Sequence, residues 1–268
     1  MPEDFTAPPL APVRVWDRGD PRPVLAVHCS LAHAGAWSGL VERLHGLTLT
    51  AMDLPGHGRA PDWDGIADLQ DLATRDAIAL AEAQGRPVDL FGHSFGATVC
   101  LRIALERPDL VRSLVLVEPV LFAAARSHAA FAGFQARHET VAAAMATNRA
   151  ESAALFHADW GNGEALADLP DRQRHYIIDR IHHIAAQSAA LVDDRAGLTR
   201  PGRLESVAVP VLLIEGSESP AIIEAIQGAL AARLPRAIRL IVPGAGHMVP
   251  ITHPHLIAPA IQAHLDAA

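Results

Sequence analysis

Lysine is absent from the 268 residues, so all 22 basic side chains are arginines. That removes Schiff-base and phosphate-loop lysine chemistry from consideration. Together with abundant alanine, it looks more like codon bias than mechanism. Positive charge is scarce as well: 30 acidic residues outweigh the arginines, giving a net charge of −8. The arginines are scattered rather than clustered, which excludes a phosphate-neutralising surface for nucleic acid. Two cysteines, Cys29 and Cys100, are too few for a disulfide framework, and their spacing suits neither a zinc site nor a redox pair. No run of eighteen apolar residues is present to span a bilayer. Met1–Leu10 carry no cationic stretch followed by an apolar one, so no signal peptide is expected and a cytoplasmic location follows. What is plentiful is hydrophobicity, at 50% of residues. The length suits one large domain or a domain with an insertion. A chain of this size buries about 70–75% of its unfolded surface, so packing alone can hold it, without a metal staple.

Short apolar runs recur at Val13–Trp16, Val24–His28, Leu47–Met52, Val88–Phe91, Leu114–Val117, Val211–Ile214 and Ile238–Val242. Most are unbroken, as strands buried on both faces require. Helix-period segments at Asp68–Gln84, Phe95–Glu106, Pro220–Leu234 and His255–Leu265 lie between them or follow the last. The alternation predicts an α/β fold with a mostly parallel sheet. The exception is Val13–Val27, where Asp17-Arg18-Gly19-Asp20 predicts an antiparallel hairpin at the sheet edge. From Leu121 to Arg203 the pattern turns helical and Ala-rich, with breaks near Trp160-Gly161-Asn162-Gly163 and Pro170. Residues 1–120 and 204–268 are thus expected to form the core, and residues 121–203 a helical insertion.

The stretch Val88-Asp89-Leu90-Phe91-Gly92-His93-Ser94-Phe95-Gly96 carries an apolar strand through G-x-S-x-G directly into a helix. Glycines there permit a sharp turn that exposes the Ser94 hydroxyl at the carboxyl end of the strand, beside the positive end of a helix. A serine nucleophile needs a base and a carboxylate to orient that base. Among fifteen histidines, His247 follows a strand and a Pro243-Gly244-Ala245-Gly246 loop, at the edge where Ser94 emerges. His182 and His183 lie in a helical stretch and read as solvated or packed. The loop His28-Cys29-Ser30 places the Ser30 amide as a second oxyanion donor beside that of Phe95. Cys29 reads as a packing residue, since nothing marks a low-pKa thiolate.

These pieces resemble the α/β-hydrolase superfamily, in its esterase, carbon–carbon hydrolase and haloperoxidase-like branch, over nearly the whole chain. They are His28-Cys29-Ser30 with Trp37, Asp53-Leu54-Pro55-Gly56-His57-Gly58, Gly92–Gly96, and Gly244-Ala245-Gly246-His247. The resemblance implies a structural His57 and a cap at Leu121–Arg203 that roofs the pocket. It also leaves a homodimer open, because families that look like this often dimerise through the cap. Where such families usually keep their acid, the third place after Gly216, this chain has Ser219. Glu118, at the end of Leu114–Val117, is the favoured acid and Glu218 the alternative; haloalkane dehalogenases carry theirs at the former place. Serine at the elbow argues against dehalogenase and epoxide-hydrolase chemistry.

The expected activity is cofactor-independent, metal-free hydrolysis of a small or medium, largely apolar ester through an acyl-enzyme, with His93 and Trp160 facing the substrate. Two alternatives stand beside it. One is carbon–carbon hydrolysis of a vinylogous diketone acid, which would favour Arg174 or Arg180 in the pocket. The other is a receptor-like binding protein on the same fold. The partner in every case is a small molecule, with neither nucleic acid nor membrane involved.

Overall fold

Seven strands share one sheet in the computed structural model, which describes residues 11–19 and 21–268. Met1–Leu10, expected to hold no leader, and Asp20 of the expected hairpin turn lie outside the described residues. The strands are β1 Val13–Asp17, β2 Pro23–Val27, β3 Thr48–Met52, β4 Val88–His93, β5 Val111–Val117, β6 Val211–Gly216 and β7 Ala237–Val242. Their order across the sheet is β1-β3-β2-β4-β5-β6-β7. All neighbouring pairs are parallel except β1 with β3.

The expected β1–β2 hairpin does not form. β1 is antiparallel and at the edge, but it pairs with β3, while β2 sits inside between β3 and β4. Burial explains the exchange. Every residue of β2 is buried, so β2 needs a neighbour on each side and cover on both faces, whereas β1 has three exposed residues and tolerates one neighbour.

Eleven helices follow among the described residues: α1 Ser38–Val41, α2 Leu69–Glu82, α3 Phe95–Glu106, α4 Ala130–Met145, α5 Arg149–Trp160, α6 Asp171–Arg180, α7 His182–Ala186, α8 Ser188–Leu191, α9 Ala221–Arg233, α10 Val249–Thr252 and α11 Pro254–Asp266. Alternate strand residues feed two cores. Leu25, Leu90, Leu116 and Leu213 pack with residues of α2, α3 and α9 on one face. Ala26, Phe91, Val115 and Leu212 pack with α1 and α11 on the other. α2 starts where Asp68 accepts the amides of Gln70 and Asp71 at 2.8 and 3.0 Å, relieving two donors that a helix start leaves without partners. Helices α4 to α8 all lie between β5 and β6. There Ala153, Leu166, Leu169, Ile177 and Ile181 form a small cluster of their own. No helix among the described residues is long and apolar enough to cross a membrane.

Candidate active site

The carboxyl ends of β4, β5, β6 and β7 converge. At the end of β4 the chain turns into α3 through Ser94, whose φ of 56° and ψ of −118° lie in a region that side-chain-bearing residues rarely occupy. Glycine on either side makes this turn fit. A Cβ on Gly92 would stand 2.4 Å from the Ala97 Cα, and one on Gly96 would stand 2.2 Å from the Val27 carbonyl oxygen. The Ser94 amide donates to Val117 O at 2.9 Å, which ties the turn to β5. Backbone strain of this kind costs about 1–3 kcal/mol and needs surroundings that impose it.

His247 arrives on the loop after β7, with its Nε2 3.0 Å from the Ser94 hydroxyl. Its Nδ1 meets Glu118 Oε2 at 2.7 Å. Glu118 follows β5 with a positive φ of 49° and is fully buried. Its other oxygen accepts the Gly216 amide at 2.7 Å and the Ser219 hydroxyl. Ser219 therefore stands where the resemblance expected an acid, and it donates to Glu118. Glu218, the alternative, is exposed and makes no hydrogen bond to His247; its amide donates to Ala245 O at 2.9 Å. Ser94, His247 and Glu118 form one continuous line, with Ser94 and His247 each 5% exposed.

Among the described residues, neither the Ser30 nor the Phe95 amide meets a protein acceptor. Leu31, just after Ser30, has a φ of 62°, and its amide donates to His57 Nε2 at 3.1 Å. His57 donates in turn from Nδ1 to Pro55 O at 2.8 Å. His28 repeats the arrangement: Nε2 accepts the Leu54 amide at 3.0 Å and Nδ1 faces Cys29 O at 2.7 Å. Two neutral rings thus fasten the loop after β2 to the loop after β3. Burial pushes the Cys29 thiol up to about 12, which fits a packing residue rather than a nucleophile.

A cavity of about 530 Å³ opens over Ser94 and His247. Phe122, Phe134, Phe156 and Trp160 supply its aromatic wall, with Trp160 edge-on to the His247 ring at 4.8 Å. Trp160 therefore lines this cavity. His93 does not: it is 2% exposed, off the cavity wall, and its Nε2 donates to the His247 carbonyl at 2.9 Å. Strand alternation turns His93 away from the face on which the serine emerges, so it supports the His247 loop from behind. Burial holds its pKa well below 6.5. Arg174 and Arg180 do not line the cavity. Arg174 bonds to Asp171 at 2.6 Å, and Arg180 donates to Gly56 O at 3.0 Å and lies over the Tyr176 ring. The arginine that does reach the wall, Arg137, is paired with Asp159 at 2.6 Å. His183 packs against His57 at 4.7 Å between ring centres. No group of three or more His, Cys, Asp or Glu side chains among the described residues is arranged to hold a metal.

The sequence model of the alpha/beta hydrolase family matches residues 24–260. The chain belongs to that family. One family relative, lipase LipV of Mycobacterium tuberculosis, is 31% identical over 94% of this chain and 97% of its own length. An (E)-2-((N-methylformamido)methylene)succinate hydrolase of Acinetobacter baylyi is 22% identical over 94% of this chain and 93% of its own. Among solved structures, a bromoperoxidase from Bacillus anthracis superposes with a TM-score of 0.73 at 20% identity, covering 95% of each chain, and shows the shared alpha/beta hydrolase fold. Together these relatives support hydrolase activity.

In this alpha/beta hydrolase the two ring fasteners carry a pH consequence. Burial lowers His28 from 6.5 to about 4, and burial with the nearby His28 lowers His57 to about 3. Above pH 6.5 both folded and unfolded chains hold these rings neutral, and the full stability is present. As the pH falls from 6.5 toward 4, the unfolded chain takes up protons that the fold refuses, so stability drops by about 1.4 kcal/mol per ring per pH unit. Unfolding at pH 5.5, followed calorimetrically in buffers of different ionisation enthalpy, is expected to take up about four protons or more, two of them on His28 and His57 and the others on His93 and His183, which burial also holds neutral. Uptake of none would contradict the neutral pair.

Proposed function

We propose that the protein is a cofactor-independent serine hydrolase that cleaves a small or medium, largely apolar carboxylic ester through an acyl-enzyme. The observation that carries this reading is the unbroken hydrogen-bonded line from the Ser94 hydroxyl through His247 to Glu118, at the floor of an aromatic cavity. In the proposed sequence His247 Nε2 takes the Ser94 proton as the oxygen attacks the ester carbonyl. Glu118 holds the proton on Nδ1 and balances the imidazolium. The Ser30 and Phe95 amides receive the oxyanion, each contributing about 3–4 kcal/mol to the barrier reduction. His247 then returns the proton to the leaving alcohol, and water repeats the cycle on the acyl-serine.

Residues 121–203 act here as the cap that chooses the substrate, over a core of residues 1–120 and 204–268. The setting is the cytoplasm, and the partner is a small molecule rather than nucleic acid or membrane. An anionic carbon–carbon hydrolase substrate is the weaker reading, since Arg174 and Arg180 are engaged elsewhere and Arg137 is neutralised by Asp159. A fluorophosphonate probe together with a panel of p-nitrophenyl esters tests the assignment. Labelling and turnover are expected; a protein that neither labels nor turns over any ester would instead be a binding protein on this fold.

A further inference from the structure

Gln187, between α7 and α8, is 3% exposed and lines the cavity that holds Ser94 and His247. Its Oε1 accepts the Ser30 hydroxyl at 2.7 Å, so the Gln187 side chain lies against the residue whose amide is the proposed oxyanion donor. Its backbone is fully used: the amide donates to His183 O at 3.1 Å and the carbonyl accepts the amides of Ala190 and Leu191. Its Nε2 is buried without any hydrogen-bond partner. A buried amide donor left unpaired is costly, and such groups in folded proteins are answered by a bound water, an ion or a group on a ligand. Turning the amide over does not remove the need, because Oε1 would then be the atom left bare. A hydroxyl answers either orientation, since it both accepts and donates. Beyond the triad and Ser30 the wall is largely aromatic and aliphatic, and its other polar side chains pair with one another, Arg137 with Asp159 and His138 with Ser188, or stand exposed, as Glu218 does, so Gln187 is placed to select one substrate feature rather than to solvate the cavity.

We propose that Gln187 is a specificity-determining residue that hydrogen-bonds a hydroxyl next to the scissile ester, so that the substrates are hydroxylated esters. This rests on the serine-hydrolase reading and deepens it. The hydroxyl can stand on the acyl group or on the alcohol, and matched pairs separate the two sources: methyl 3-hydroxybutyrate against methyl butyrate, and 2-hydroxyethyl butyrate against ethyl butyrate. In the unsubstituted protein kcat/KM for at least one hydroxylated ester is expected to exceed that of its partner about tenfold or more. Gln187→Leu, of similar volume, is expected to bring that ratio to within about twofold of one. Ser30→Ala keeps the backbone amide but releases the Gln187 side chain, and is expected to lower the ratio by about threefold or more. Tm measurements confirm that each variant is folded. Turnover of the parent esters with no hydroxyl preference, or a ratio unmoved by both variants, would overturn the role of Gln187 and leave the hydrolase reading standing. Absence of turnover with all four esters, and of fluorophosphonate labelling, would overturn both.

Discussion

Ser94→Ala is expected to lower kcat on the best p-nitrophenyl ester by about 10⁶ and to abolish fluorophosphonate labelling. The size follows from the way the three groups depend on one another. His247 abstracts a proton only if a hydroxyl lies 3.0 Å from its Nε2, and removing that oxygen leaves the base and its carboxylate with nothing to activate. For the same reason, adding His247→Ala to Ser94→Ala is expected to cost little more, because residues that act as a unit are not additive. Alanine keeps the Cβ and leaves the Ser94 amide bonded to Val117 O, so Tm is expected to stay within a few degrees of the unsubstituted protein. A folded Ser94→Ala variant that retained turnover within tenfold of the original would remove Ser94 from the reaction.

Glu118→Gln is expected to lower kcat by about 10⁴, and Glu218→Gln to change it less than about threefold. The first effect comes from which way the new amide must face. Oε1 of Glu118 accepts from both Gly216 and Ser219, so a glutamine must leave its oxygen there and turn its NH₂ toward His247. Nδ1 then faces a donor and has to give up its own hydrogen, which moves to Nε2. A ring protonated at Nε2 cannot accept from Ser94, so the variant keeps its shape and loses its base. Glu218 is exposed and meets His247 nowhere, so its neutralisation leaves the tautomer alone. If the Glu218 variant were the crippled one, the proposed mechanism would have its acid in the wrong place. kcat and Tm measured on both variants decide the matter.

Much of this architecture was legible because the features concerned are local. Unbroken apolar runs marked the interior strands, and G-x-S-x-G between a strand and a helix marked the turn at Ser94. His247 stood out from the other histidines by its place after a strand and a glycine loop. The pairing of β1 with β3 was not legible, since a turn between two runs says nothing about whether a third strand inserts between them. His93 neighbours Ser94 in sequence yet stays off the cavity wall, because a strand sends neighbouring side chains to opposite faces. Gln187 gave no signal at all in its Ala-rich stretch. Its meaning lies in a bond to Ser30, 157 positions away in the chain.

The exchange between Glu118 and Ser219 has a consequence for how such proteins are compared. Adjacent strands, β5 and β6, end beside the same imidazole nitrogen, so the architecture offers two addresses for one carboxylate. This chain has a carboxylate at the inner address and a hydroxyl at the outer one, and the hydroxyl donates to the carboxylate. Matching chains position by position would score the outer address as a missing acid and file the protein among inactive kin. What defines the group is where its oxygen ends, not the column from which it departs.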